Sequence, residues 1–135
     1  DEVSRPKMLN AYQYGRNTYS FNNGLALSSG RGVTRTEQVK PDFTAPGISI
    51  TGALPGGQFE SRSGSSTSVG ITAGAAALLV EWHLQQKKIP SVSTALIKSL
   101  LTLGATRNPD MKYPNREWGY GQLSLYNTFE AMRQL

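Results

Sequence analysis

The chain has 135 residues, a length typical of a single domain that buries its own hydrophobic core. Lysine and arginine number 14 against 9 acidic residues, which gives a net charge of +5. The absence of cysteine excludes disulfide bonds, thiol catalysis and cysteine-based zinc sites. No segment approaches the roughly 20 apolar residues of a membrane span. The basic residues are scattered, so neither a membrane nor a nucleic-acid partner is predicted.

The first half of the chain has the pattern of short strands separated by turns. Apolar and β-branched residues alternate in short runs, and glycine, proline and asparagine interrupt them. Residues 15–24 and the Pro55, Gly56 and Gly57 sequence predict turns, and residues 28–38 predict a polar loop. The predicted strands cover residues 8–14, 25–27, 42–44, 48–54 and 58–62.

A helix is predicted over residues 66–86, after the last of these strands. Its apolar residues leave it no polar face, so it is predicted to be buried. These residues are Ala73, Ala75, Ala76, Ala77, Leu78 and Leu79.

Two further helices are predicted towards the end of the sequence. One covers residues 94–103, with Ser91 or Ser93 as its N-cap and Gly104 at its end. Helical spacing predicts its packing face to be Ala95, Leu96, Ser99, Leu100 and Leu103. The remaining predictions are an irregular loop at 108–118, an edge strand at 123–125 and an amphipathic helix at 126–135.

Small and hydroxyl residues mark the start of the first predicted helix, S-G-S-S-T-S at residues 63–68. Serine side chains there can accept hydrogen bonds from the unpaired N–H groups of a first helical turn. The same N–H groups favour negative charge, including charge that develops on a substrate oxygen. The residues therefore fit either a capped core helix or a helix that carries a serine nucleophile.

Residues 63–74 resemble the nucleophile motif of subtilisin-like serine peptidases, G-T-S-x-A-x-x-H-V-A-G. Ser66 aligns with the nucleophile of that motif. The departures are Ser65 for threonine, Ser68 for alanine, Gly70 for proline and Ile71 for histidine. That histidine is not the catalytic base in the family, so its loss does not by itself exclude activity.

Other segments extend the resemblance over residues 8–135. They are K-P-D-F-T-A-P-G at 40–47, L-P-G-G at 54–57, S-G-R-G-V-T at 29–34 and Y-P-N-R-E-W-G-Y-G-Q-L-S-L at 113–125. The last two resemble the Csp-like subtilases of clostridia. The resemblance implies an α/β fold, a subtilisin-like three-layer sandwich with a parallel sheet. Because the family's aspartate and histidine precede its serine, residues 1–135 are expected to be the C-terminal portion of a peptidase domain.

The resemblance also implies a function. Ser66 would attack a peptide carbonyl, with the Ser66 backbone N–H helping to hold the oxyanion, and an upstream histidine and aspartate would complete the triad. The implied partners are a peptide or protein substrate and the missing N-terminal part of the peptidase domain. No cofactor or metal is implied, and the Csp-like resemblance is associated with a spore or extracytoplasmic location. The alternative is a pseudoprotease that serves as a binding or signalling module.

The chain's single histidine, His83, is not predicted to be the base. It lies 17 residues beyond Ser66 on the predicted helix, which is about 25 Å at ~1.5 Å per residue, so it is expected to pack near Trp82. Asp42 follows the K-P-D pattern and is assigned a structural role at the A-P-G turn.

The remaining polar and aromatic candidates are predicted to be structural. Asn108, Asp110 and Asn115 lack the spacing of a calcium loop, so no metal site is predicted. Solvated surface is expected for Glu60 and Glu81, and core packing for Trp118 and Tyr120. Self-association is also expected, because Ala75, Ala76, Leu79 and the strand at 48–54 would lack part of their covering.

Overall fold

The computed structural model describes residues 24–87 and 90–135. The strand predicted at 8–14 and nearly all of the turn predicted at 15–24 lie outside these residues. The described residues form two compact units, one of residues 24–31 and 45–71 and the other of residues 32–44, 72–87 and 90–135. The elements are β1 (Gly32–Val33), β2 (Val39–Lys40), β3 (Ile50–Leu54), β4 (Gln58–Arg62), α1 (Ser65–Gln85), α2 (Thr94–Leu103) and α3 (Leu125–Arg133).

In the first unit, β3 and β4 form an antiparallel hairpin, with Ile50 opposite Arg62. Gly56 and Gly57 close its turn with φ values of +84° and +77°, which glycine adopts without steric cost. The predicted turn is confirmed, and β4 covers the predicted residues. β3 begins at Ile50 instead of residue 48 because Ser49, at φ +53°, interrupts the extended chain.

The strand predicted at 25–27 is wrong. The N–H of Ser29 donates to the carbonyl of Ala26 at 3.0 Å, which makes this segment a turn. A three-residue apolar run carries too little periodicity to distinguish a strand from a turn.

In the second unit, β1 lies within the predicted polar loop at 28–38 and pairs antiparallel with β2, with Gly32 opposite Lys40. Two backbone hydrogen bonds close their turn: Thr34 N–H donates to the Gln38 carbonyl, and Glu37 N–H to the Thr34 carbonyl, each at 2.9 Å. Strands of two residues are too short for alternation to reveal them.

The predicted strand at 42–44 forms bridges instead of a long ladder. Thr44 pairs in parallel with Gln122, and Phe43 pairs antiparallel with Gly119. Among the described residues, the bridge between Thr44 and Gln122 is the parallel pairing, and both two-stranded sheets are antiparallel. The α/β class therefore appears here as three helices combined with short strands and bridges.

The core of the second unit joins all three helices. Leu79 of α1 is fully buried, and the other buried apolar residues of this cluster are Ile97, Leu100, Leu101 and Met132. Trp82 and Phe129 pack against it, with their ring centroids 6.2 Å apart and their planes edge-on. Edge-on packing suits aromatic rings, whose electron-poor edges meet electron-rich faces.

The boundaries of α2 are confirmed, and its predicted packing face is right for Leu96 and Leu100 but wrong for Ala95, Ser99 and Leu103. Ser93 is the N-cap and accepts from the Leu96 N–H at 3.1 Å, and Gly104 ends the helix. The buried face is Ile97, Leu100 and Leu101, whereas Leu103 is 50% exposed. The face that begins at Ile97 is wholly apolar, whereas the predicted face contained Ser99 and could bury less apolar surface.

Gly104 allows a close approach between the end of α2 and the beginning of α3. A Cβ atom at this position would lie 2.2 Å from Thr128 Oγ1. The edge strand predicted at 123–125 is wrong, because Ser124 is the N-cap of α3 and Leu125 is already helical. The Ser124 hydroxyl accepts from the Asn127 N–H at 3.2 Å, and such a local bond ends extended structure.

The helix α1 matches its predicted bounds to within one residue, but the prediction that it is buried is wrong. Ala75, Leu79 and His83 are its buried residues and form one stripe at four-residue spacing. Val69 is 66% exposed and Leu78 is 51% exposed. The expectation of missing covering is wrong for Ala75 and Leu79, which are buried, whereas Ala76 is partly buried and the middle of β3 is exposed. An evenly apolar helix does not specify which side other elements cover.

Asp42 was predicted to have a structural role at the A-P-G turn, but its ion pairs are with two lysines outside that turn. Its Oδ2 lies 2.8 Å from Lys40 Nζ and 3.3 Å from Lys98 Nζ. The hydrogen bond from Lys40 is the main cause that lowers the pKa of the Asp42 carboxyl; burial opposes it, and the hydrogen bond and charge of Lys98 add to the lowering. The main chain of Asp42 also accepts from the Tyr120 N–H at 2.7 Å.

No described helix is long and apolar enough to cross a membrane.

The substitution Asp42→Asn tests this cluster. Because folding lowers the Asp42 pKa, its ion pairs stabilise the fold above the unfolded pKa of about 3.9 and are lost as the pH falls through the folded value. The variant should unfold with about 0.5 kcal/mol less free energy at pH 7, a value reduced by solvent screening. Urea unfolding at pH 7 and pH 3 should show this difference closing with acid.

Asp110→Asn is the matched control, since Asp110 is exposed and forms no ion pair within residues 24–87 and 90–135. It should show no difference that depends on pH. An Asp42→Asn variant that is as stable as the wild type at pH 7 would contradict the role of the cluster.

Self-association remains a prediction, now placed on other residues. Exposed apolar side chains, including Val69, Leu78 and Phe59, favour burial against a second chain. Light scattering of residues 1–135 at micromolar concentration should give more than the 14.7 kDa of one chain. Val69→Ser and Leu78→Ser should shift the mass towards the monomer. A compact monomer at every concentration would contradict the prediction.

Candidate active site

Ser66 is the second residue of α1 and lies in the first turn of the helix, as predicted. Its side chain is exposed, and its hydroxyl has no hydrogen-bond partner among the described residues. A serine in a first helical turn lies beside backbone N–H groups that have no partner within the helix. The hydroxyl is therefore accessible, next to donors that favour negative charge.

Gly64 forms the reversal between β4 and α1. Its φ of +147° lies in the region that favours glycine. Its carbonyl accepts from the N–H groups of Thr67 at 3.1 Å and Ser68 at 3.3 Å, which begins the helical hydrogen bonding. A Cβ atom on Gly64 would lie 3.9 Å from Ser66 Oγ. The glycine thus turns the chain and leaves the space beside the Ser66 hydroxyl open.

The loop at residues 45–49 packs against this reversal. Gly64 N–H donates to the Gly47 carbonyl at 2.8 Å, and the Ser68 hydroxyl donates to the Ala45 carbonyl at 3.0 Å. Ser49 N–H donates to the Ser63 hydroxyl at 2.8 Å. These contacts were not predicted from the sequence. The signal that could have indicated them is the pair of small residues in A-P-G, which permit one backbone segment to approach another.

Gly47 is essential to this approach. A Cβ atom at Gly47 would lie 2.1 Å from Ser68 Oγ and 2.8 Å from the Gly64 carbonyl oxygen. Real Cβ contacts are not this short, so any side chain here would push the loop away from the helix start. This packing explains why residue 47 of the A-P-G segment is glycine.

His83 lies on α1, 17 residues beyond Ser66, about 25 Å along the helix at ~1.5 Å per residue. It is buried, and its Nδ1 donates to the Leu79 carbonyl at 2.8 Å. Its ring meets the Trp82 ring edge-on at 5.0 Å. The predicted packing near Trp82 is confirmed, and the ring cannot accept a proton from Ser66 across this distance.

The other polar candidates occupy structural positions. Asn115 Oδ1 accepts from the N–H groups of Glu117 and Trp118, and Asn108 Oδ1 accepts from Asp110 N–H. Their oxygens therefore close turns. In the part of the chain that the structure describes, no three or more histidine, cysteine, aspartate or glutamate residues group as metal ligands.

Three predictions for surface and aromatic residues have different outcomes. Glu60 pairs with Arg62 on the exposed strand β4, and Glu81 is exposed on α1, as predicted. The core packing predicted for Trp118 is met only in part, because this residue is partly buried. Core packing of Tyr120 is wrong, because this residue is 41% exposed. Its backbone carbonyl accepts from Arg107, so the main chain rather than the ring is the part used structurally.

This chain is similar to known proteins in sequence and in structure. The model of the subtilase family, Peptidase_S8, matches residues 12–121. The structure of the CspB protease of Clostridium perfringens is similar over 86% of this chain and 25% of that chain, with 38% identity and a TM-score of 0.75. This likeness confirms the predicted subtilisin-like α/β fold and the resemblance to the clostridial branch.

Curated relatives are similar at lower identity. The membrane-bound transcription factor site-1 protease of Homo sapiens is 30% identical over 118 residues, which are 83% of this chain and 11% of that protein. Bacillopeptidase F of Bacillus subtilis is 27% identical over 112 residues, 83% of this chain and 8% of that protein. The chain thus spans about a tenth of the length of these relatives. The family match covers well over half of the sequence, and the chain belongs to the subtilase family.

Proposed function

We propose that residues 1–135 form the C-terminal, nucleophile-bearing portion of the peptidase domain of a subtilisin-like serine endopeptidase, with Ser66 as the nucleophile. The observation that carries this proposal is the position of Ser66. Its exposed hydroxyl lies in the first turn of α1, two residues after the reversal at Gly64, and on the nucleophile position of the family motif.

The chemistry follows from this position. Ser66 Oγ attacks the carbonyl carbon of a peptide bond while a base removes the hydroxyl proton. The backbone N–H of Ser66 helps to hold the oxyanion that forms, in a field that the helix N-terminus makes favourable to negative charge. The C–N bond then breaks, and the leaving amine takes the proton from the base. Water hydrolyses the acyl-enzyme in a second cycle of the same steps.

The base must come from elsewhere in the parent protein. The chain contains one histidine, and its Nδ1 already donates to the Leu79 carbonyl. A hydroxyl and its base must approach to about 3 Å, which His83 cannot do on the same helix. We infer that the N-terminal part of the peptidase domain supplies the histidine and the aspartate. The substrate class is a peptide or protein.

A fluorophosphonate probe tests the nucleophile directly, since it forms a covalent bond with an activated serine. The full-length parent protein should be labelled at Ser66. Ser66→Ala should abolish labelling and lower kcat/KM on a peptide substrate to about one ten-thousandth or less, since no other hydroxyl can form the acyl-enzyme. Peptide mapping of the labelled protein identifies the modified residue.

Ser65→Ala is the matched control, because Ser65 is the neighbouring exposed serine in the same helical turn. It should retain labelling. Labelling of another serine, or full activity in Ser66→Ala, would refute the assignment. A wild-type parent protein that binds peptides but is not labelled would favour the pseudoprotease instead.

A second prediction concerns residues 1–135 alone. This portion should hydrolyse no peptide, because its single histidine is engaged on α1 away from Ser66. A highly purified sample incubated with a fluorogenic peptide provides the measurement. Hydrolysis that Ser66→Ala eliminates would show that the portion contains a base of its own.

A further inference from the structure

Three hydrogen bonds join the loop at 45–49 to residues 63–68, and we name this set the nucleophile clamp. Every second residue of the loop, Ala45, Gly47 and Ser49, provides a backbone partner. The bonds are Ser68 Oγ to the Ala45 carbonyl, Gly64 N–H to the Gly47 carbonyl, and Ser49 N–H to Ser63 Oγ.

The clamp holds the chain on both sides of Ser66. Gly64 is fixed two residues before it, and Ser68 is fixed two residues after it. Ser66 itself has no side-chain hydrogen bond among the described residues. The position of its hydroxyl therefore depends on the backbone between these two points. Of the clamp residues, Ser68 is the one that lies on α1 beyond Ser66.

The tight packing at Gly47 makes this contact short and specific. The carbon that Gly47 lacks would lie 2.1 Å from the Ser68 hydroxyl oxygen. Ser68 is also partly buried, so water competes little for its bond to the Ala45 carbonyl. A partly buried acceptor that loses its donor is destabilised, and the loop would shift to find another partner.

We propose that Ser68 is a positioning residue for the nucleophile. Its hydroxyl bonds the first turn of α1 to the Ala45 carbonyl and so keeps the Ser66 hydroxyl aligned for attack. This inference rests on the proposed function. Ser68 acts through the backbone and contacts no reacting atom. Reaction rates depend steeply on the alignment of a nucleophile, so loss of the bond to Ala45 should slow the chemical step more than it weakens binding.

The test is Ser68→Ala in the full-length parent protein, with kcat and KM measured on a chromogenic peptide. We expect kcat to fall about three- to tenfold, the effect of one neutral hydrogen bond, and KM to change less than about twofold. The second-order rate constant of fluorophosphonate labelling should fall by the same factor as kcat. Both rates are normalised to the number of sites that become labelled, which removes any contribution from unfolded protein.

Two variants isolate the hydroxyl. Ser68→Thr keeps the donor and should restore kcat to within about twofold of the wild type. Ser99→Ala makes the same chemical change at an exposed serine of α2 and should leave kcat unchanged. Rescue by threonine is a result that simple loss of helix packing would not produce.

The proposal has distinct ways to fail. An unchanged kcat in Ser68→Ala overturns it, as does a rise in KM alone. Ser68→Thr as slow as Ser68→Ala also overturns it, since the hydroxyl would then not be the cause. In each of these cases the wild type is still labelled at Ser66, so the proposed function stands. A wild type that is not labelled overturns the proposed function and this inference with it.

Discussion

The hydrogen bond from Gly64 N–H to the Gly47 carbonyl is the contact on which the candidate site depends. It forms where the chain leaves β4 and enters α1, at a left-handed backbone position. The two segments can approach this closely because Gly47 has no side chain. Any Cβ atom at Gly47 would meet the Gly64 carbonyl at 2.8 Å, so the reversal that presents Ser66 requires glycine there.

The same helix serves different purposes along its length. Its first turn carries an exposed serine, whereas Leu79, further along, is fully buried in the core with residues of α2 and α3. His83 also belongs to this buried stripe, since its ring donates to the Leu79 carbonyl and packs edge-on against Trp82. The histidine thus contributes to packing, and this is the physical reason that it is unavailable for catalysis.

Charge has a local structural role in the described residues. Asp42 neutralises two lysines, one two residues away in sequence and one on α2. Glu60 and Arg62 pair on the exposed face of β4. Such exposed pairs contribute little free energy individually, so the fold relies on its apolar cluster and on backbone hydrogen bonds. The net charge of +5 therefore reports little about function.

The sequence alone determined the strand–turn–strand–helix order around Ser66, the bounds of α1 and α2, and the family. Glycine, proline and hydroxyl residues act locally, so their effects on turns and caps are visible in a single chain. Only the tertiary structure decided which faces are buried and how the loop at 45–49 contacts Ser63, Gly64 and Ser68. Those outcomes depend on partners distant in sequence. The periodicity of α1 could not identify such partners, because its apolar residues are not confined to one side.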